Sequence, residues 1–131
     1  MKEDFFIENK IYYHDTDAGG VVYYANYLKH LEEGRNEFCA KLGLDMRGLA
    51  AAGIWFVVAR VEIDYKAAAR YLDIIRIYTA VENTGRCTVD FSQRIKRQEE
   101  IITEAKVKWV CVGQDFKARA IPPEVIKLLK S

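Results

Sequence analysis

"HDTDAGGVVYYANYLKHLEEGRNEF", residues 14–38, is the stretch where the chain changes its hydrophobic period. Before it, residues 5–13 place Phe5, Ile7, Ile11 and Tyr13 on a strand-like alternation interrupted by Asn9. Residues 14–24 then form a turn-rich connection. From Asn26 onward, Tyr27, Leu28, Leu31, Arg35, Phe38, Cys39 and Leu42 recur at three- and four-residue steps, the stripe of a helix packed on one side. Asn26 is a possible N-cap, and Gly43 suits the residue just past the helix end.

Outward from there, residues 45–52 read as a short second helical piece ended by Gly53. The period then falls to two. Trp55, Val57, Ala59, Val61, Ile63 and Tyr65 alternate with charged residues. Residues 71–82 follow as a second strand of this series. Cys87, Val89, Phe91 and Ile95, and then Ala105, Val107, Trp109 and Cys111, repeat the alternation. Asn83, Thr84 and Gly85, and Gln98, Glu99 and Glu100, are the natural hairpin turns. Residues 121–130 read as a short terminal helix with Pro122 and Pro123 near its first turn. The order is strand, long helix, four consecutive antiparallel strands. This predicts an α+β two-layer fold in which one long helix covers one face of a curved antiparallel sheet. The other sheet face still holds apolar residues and the edges need cover, so the expected unit is at least a dimer. With 131 residues and no linker, repeat or low-complexity stretch, residues 1–131 are expected to form a single domain.

Half of the residues are hydrophobic and 30% are charged, enough to bury a real core. A formal net charge of +1 leaves no strong field to draw the chain to nucleic acid or an anionic membrane. The three cysteines, Cys39, Cys87 and Cys111, are widely spaced with no CxxC, which argues against a metal site or a disulfide framework. Each falls in an apolar pattern, so buried free thiols in a reducing cytoplasm are the expectation. The start, MKEDFFIENK, carries acids and no long apolar run, unlike a signal peptide. No apolar run approaches the roughly 18 residues of a membrane span.

The chemistry of residues 14–38 follows from what a helix start offers. Its first N–H groups have no partner within the helix, and the helix dipole is positive there. Gly19 and Gly20 let the preceding loop bend without steric penalty. An N–H near Tyr24 can then point at a carbonyl oxygen and hold an oxyanion. Asp17, just upstream, can fold over the same spot to attack a thioester carbonyl or take a proton from water. Asp15 and Asp17 are equally good turn residues, and Asp15 reads mainly as structural.

The string "YYHDTDAGGVVYYANYLKHLEEGRNEF" resembles the hotdog-fold thioesterases of the 4-hydroxybenzoyl-CoA thioesterase family, with the Tol–Pal-associated acyl-CoA thioesterase branch most similar. Asp15, Asp17, Gly20, Val22, Tyr23, Asn26 and Tyr27 fill the motif D-x-D-x-x-G-x-V-[YWF]-x-x-[NS]-Y. "FVVARVEIDYKAAARYLDIIRI" and "VCVGQDFKARAIPPEV" look like later parts of the same family, so the resemblance spans nearly the whole chain. It implies a sheet wrapped around the long helix. It also implies hydrolysis of acyl-CoA thioesters without metal or bound cofactor. The essential carboxylate falls on Asp17 and the carbonyl-polarising backbone N–H on Tyr24. Tyr13, four residues before Asp17, is the family's candidate for orienting it. A partner subunit's loop completes the site, in a homodimer or homotetramer. In the Tol–Pal-associated branch position 24 is commonly His; Tyr24 keeps the backbone N–H but supplies no imidazole. His14 stands where relatives often carry Glu and is expected packed or solvent-facing, and His30 is expected on the helix surface.

A basic rim should meet the phosphates of CoA. Lys66, Arg70, Arg86, Lys117 and Arg119 lie at expected strand ends or loops, with Arg119 the best placed, although each reads first as solvated surface charge. Tyr23, Tyr24, Trp55 and Phe56 read equally as core packing or as the lining of an acyl pocket, and an aromatic-walled pocket would favour short-chain or aromatic acyl groups. Two other readings stay open on sequence alone. One is hydrolysis of acyl carrier protein thioesters, which share the pantetheine arm. The other is a non-catalytic acyl-CoA-binding protein of the same fold.

Overall fold

In the computed structural model, which describes residues 5–131, the alternating segments become strands of one antiparallel sheet. They are β1 (Phe6–Lys10), β2 (Trp55–Tyr65), β3 (Ile74–Thr84), β4 (Thr88–Arg97) and β5 (Glu100–Val112), in the spatial order β1-β3-β4-β5-β2. The helices are α1 (Tyr27–Lys41), α2 (Met46–Ala51) and α3 (Pro123–Leu129). Single 3-10 turns at Tyr13–Asp15 and Tyr24–Asn26 flank the loop leading into α1. Residues 1–4, part of the stretch read for a signal peptide, lie outside the described residues.

Alternation sets which side chains meet α1. Ile75 and Ile77 of β3, Val89, Phe91 and Ile95 of β4, and Val107, Trp109 and Cys111 of β5 are all buried. Helix α1 turns Tyr27, Leu31 and Cys39 into that layer. Gly34 lets the helix approach β3 closely: a Cβ there would sit 2.7 Å from Ile77 Cγ2 and 2.9 Å from Thr79 Oγ1. The core falls into two apolar clusters, one around Phe91, Trp109 and Leu129, the other around Leu31, Ile77 and Ile95. A buried polar belt crosses between them. Arg35 Nη1 donates to Gln93 Oε1 at 3.0 Å, and Gln93 Nε2 donates to Leu31 O and Thr79 Oγ1, each at 2.9 Å. Burial lowers the pKa of the Arg35 guanidinium by taking its charge out of water, against an opposing pull from Glu32 and Cys39.

Several boundaries differ from the sequence expectation. The first strand ends at Lys10 rather than Tyr13, because the chain closes into the 3-10 turn at Tyr13–Asp15. β3 starts at Ile74 rather than Tyr71; Leu72 has φ +70°, and Asp73 Oδ2 accepts the Arg70 N–H at 2.8 Å in a tight turn. β3 then runs through Asn83 and Thr84, which pair with Asp90 and Val89, so the hairpin turn shifts onto Gly85, Arg86 and Cys87. Asn26 occupies the cap position but makes no cap; its Nδ2 donates to Asp15 O at 3.2 Å. Gly43 does end α1, with φ +89°. The outward face of the sheet is charged rather than apolar. Lys106 meets Glu82 at 3.7 Å and Lys108 meets Asp90 at 3.4 Å across it. Exposed apolar side chains gather instead on the edge strand β2, at Trp55, Val58, Val61 and Tyr65.

Candidate active site

The loop before α1 is built by its own short hydrogen bonds. Thr16 and Val22 bridge, the Asp17 N–H donates to Val21 O at 3.0 Å, and the Gly20 N–H donates to Asp17 O at 3.0 Å. Gly20 takes φ +79° to close this turn, a conformation that favours glycine. The Gly19 N–H donates to Asp17 Oδ1 at 2.8 Å, and a Cβ on Gly19 would sit only 3.2 Å from that oxygen. Asp17 is exposed, with one carboxylate oxygen fixed by its own turn. The loop is tied to the β2–β3 connection by the Val22 N–H to Ala69 O bond, 2.9 Å, and by the Val21–Arg70 bridge.

The chain then returns to Asp15, whose carbonyl accepts the Tyr23 N–H at 2.9 Å, and enters the Tyr24–Asn26 turn. Tyr24 is the first residue of that turn, and its N–H has no hydrogen-bond partner among the described residues. Tyr65 Oη donates to Tyr24 O at 3.1 Å, and Tyr27 Oη accepts the Ala69 N–H at 3.0 Å, so tyrosines brace the segment from behind. The Tyr23 hydroxyl pKa is raised, first by its hydrogen bond with Tyr24 and also by the negative charge of Asp17. Asp17 and the Tyr24 N–H stand on one exposed loop, so an anionic side chain and an N–H without a partner among the described residues both lie on the way into α1. That pairing can deliver a nucleophile or base and hold the oxyanion it generates.

The other expected residues divide. Tyr13 is 78% exposed, its ring 5.6 Å from that of Tyr71, and no hydrogen bond joins it to Asp17 among the described residues. Lys66 and Arg70 follow β2 and lie at the Asp17 end of the sheet, with Arg70 bridged to Val21. Arg86, Lys117 and Arg119 lie at the opposite end. Arg86 precedes β4, and the Lys117–Arg119 loop folds back on Cys111 and Gly113 through backbone bonds of 2.9 and 3.1 Å. The length of β2, roughly 30 Å, separates the two groups. Within one chain they do not form a single basic rim. Phe56 stacks on Trp109 and is partly core, whereas Trp55 is exposed at the far end of β2. His14 is exposed, as expected.

His30 corrects the sequence reading. It is only 7% exposed, and its Nε2 lies 3.2 Å from Oδ1 of Asp15, itself 5% exposed. The signal was present: His30 lies three residues after Tyr27 and one before Leu31, on the buried stripe of α1. Asp15 is structural, as read. Among the described residues no group of three or more His, Cys, Asp or Glu side chains is placed to hold a metal ion.

The family model described as the thioesterase-like superfamily matches residues 12–129. The chain belongs to that superfamily. An Escherichia coli relative, acyl-CoA thioester hydrolase YbgC, is 36% identical over 123 residues, spanning 92% of each chain. A Synechococcus elongatus relative, 1,4-dihydroxy-2-naphthoyl-CoA hydrolase, is 25% identical over 123 residues, covering 92% of this chain and 90% of that one. Among solved structures, a hypothetical protein of Aquifex aeolicus superposes with a TM-score of 0.90 at 27% identity, covering 95% of this chain and 98% of the other. This thioesterase-like chain thus has the expected sheet around a long helix, and the matched region includes the whole Asp17–Tyr24 loop.

Proposed function

We propose that this thioesterase-like protein hydrolyses acyl-CoA thioesters to the free acid and CoA. The observation that carries the reading is the exposed Asp17 carboxylate on the same loop as the unpartnered Tyr24 N–H. Asp17 either attacks the thioester carbonyl, giving an anhydride that water then opens, or takes a proton from an attacking water. In both cases negative charge grows on the carbonyl oxygen, and the Tyr24 N–H at the helix start is the donor that receives it.

The working unit is a pair of chains, in an assembly of two or four. β2 is an 11-residue edge strand paired only with β5, and it exposes Trp55, Val58, Val61 and Tyr65. Such an edge is stabilised by pairing with another strand. Antiparallel pairing of β2 with a second copy would lay Arg119 of the partner subunit beside this chain's Asp17 end. That arrangement reunites the two separated basic groups around one CoA. The exposed rings of Tyr23, Tyr24 and Tyr65, which pack on one another at the start of α1, favour an aromatic or short acyl group over a long chain, in keeping with the name of the Synechococcus relative, a 1,4-dihydroxy-2-naphthoyl-CoA hydrolase. The half-buried to buried free thiols of Cys39, Cys87 and Cys111 suit a reducing cytoplasm. Thiol release from benzoyl-, acetyl- and palmitoyl-CoA and from an acylated carrier protein tests the reading. The expected order is benzoyl-CoA or acetyl-CoA well above palmitoyl-CoA, and an absence of release from every thioester would refute it.

A further inference from the structure

We propose that His30 is a positioning residue: its neutral imidazole, holding a proton on Nε2, fixes Asp15 and through it the backbone on both sides of Tyr24. The inference deepens the acyl-CoA thioesterase reading and rests on it.

The tautomer follows from three distances. Asn9 Nδ2 lies 2.7 Å from Glu33 Oε1 and 2.9 Å from His30 Nδ1. An ionised carboxylate only accepts, so the amide NH2 group of Asn9, not its oxygen, faces Glu33. The same NH2 group then donates its second hydrogen to His30 Nδ1, which must be unprotonated. The ring's remaining proton sits on Nε2 and is donated to Asp15 Oδ1 at 3.2 Å. The chain Glu33–Asn9–His30–Asp15 thus links α1 and β1 to the loop, with His30 and Asp15 both buried.

Asp15 passes the constraint on. Its carbonyl accepts the Tyr23 N–H at 2.9 Å and Asn26 Nδ2 at 3.2 Å, the residues before and shortly after Tyr24. Its N–H donates to Tyr12 O at 3.0 Å. Asp17 follows two residues later on the same strand of the loop. A carboxylate that could rotate at position 15 would loosen the one carbonyl that holds both flanks of the oxyanion donor.

Protonation should undo the arrangement. The groups around the ring are Asp15 from the loop, Asn9 from β1 and Glu33 from α1, whose Oε1 is 4.0 Å from Nδ1. β3, against which α1 also packs, turns only Ile75, Ile77 and Thr79 inward there. A proton on Nδ1 meets the NH2 of Asn9, donor against donor. Glu33 Oε1 already accepts from Asn9 and lies 4.0 Å from Nδ1, beyond bonding distance. Asn9 or the ring has to move, and the loop moves with it.

Nitrogen-15 NMR of the wild-type imidazoles and turnover of benzoyl-CoA by two variants test the proposal together. His30 and His14 are the chain's two histidines, and exposed His14 provides the reference for a ring free in water. Where the His30 ring carries a single proton, the expected spectrum places it on Nε2. His30→Phe keeps ring bulk without the donor and is expected to lower kcat by about ten- to a hundredfold with KM changed less than about twofold. His30→Gln, whose amide donates towards Asp15, is expected to recover most of that rate. Amide signals of residues 23–26 should shift in His30→Phe and stay near wild type in His30→Gln. A lone ring proton on Nδ1 overturns the proposal, as does an unchanged kcat and loop spectrum in His30→Phe, or a His30→Gln variant no faster than His30→Phe. If His30→Phe does not fold, the Gln variant and the wild-type spectrum decide. If the wild type releases no thiol at all, the functional reading fails, while the tautomer and the amide signals still decide whether His30 holds the loop.

Discussion

Asp15 and Asp17 are one residue apart and take opposite roles because alternation in the loop turns them opposite ways. Asp15 faces α1, where His30 and the Tyr23 N–H use its oxygens; Asp17 faces solvent with one oxygen tied to Gly19. The DxD spacing was legible in the sequence, and so was the structural role of Asp15. Its partner was not, because spacing puts His30 on the buried stripe of α1 but does not say which side chain it meets there. Cysteines were legible as free thiols, and burial separates their chemistry. Burial in the core pushes the Cys39 thiol up to about 12, with a small opposing pull from Arg35. A thiol that resists ionisation in the folded state contributes stability that is fully present below the unfolded thiol pKa of about 8.5. That contribution is lost as pH rises towards about 12. Urea unfolding at pH 8 and pH 10.5 should therefore show an alkaline loss of stability that is smaller in Cys39→Ala; equal losses in the two proteins would contradict it.

The elements follow the same physics with packing added. α1 sits close to β3 only because position 34 has no side chain. Gly34→Ala gains up to about 1 kcal/mol of helix propensity. Its Cβ would approach Ile77 Cγ2 to 2.7 Å, and overpacking of that kind costs roughly 1–3 kcal/mol. Net destabilisation is expected in a thermal melt; a stabilised variant would show that the helix can lift without cost. The long helix, the four later strands and the Gly43 stop were all readable from period and punctuation. The hairpin at Gly85–Cys87 was misplaced because Asn83 and Thr84, good turn residues in isolation, continue the ladder opposite Asp90 and Val89. The 3-10 turns at both ends of the Asp17 loop were not readable either. They depend on backbone bonds to Tyr12, Asp15 and Ala69 that only the folded chain brings near.

For the whole molecule, one chain holds the expected basic residues apart. The Asp17 loop and Arg70 are at one end of the sheet, and Arg86, Lys117 and Arg119 are at the other. Sequence alone listed these basic residues together because it carries no distance along β2. The proposed pairing of β2 edges would close that separation, and Val61→Lys would set like charges near that seam. Light scattering should report a smaller assembly for Val61→Lys, with KM for acyl-CoA raised at least about tenfold. An unchanged mass would remove β2 from the interface. Asp17 is the exposed carboxylate on which the proposed hydrolysis depends. Asp17→Asn keeps the size and the hydrogen bond from Gly19 but removes the charge. Benzoyl-CoA turnover, followed by thiol release at fixed protein concentration, is predicted to fall at least about a hundredfold in kcat with the melting temperature unchanged. Turnover by Asp17→Asn at the wild-type rate would contradict the account.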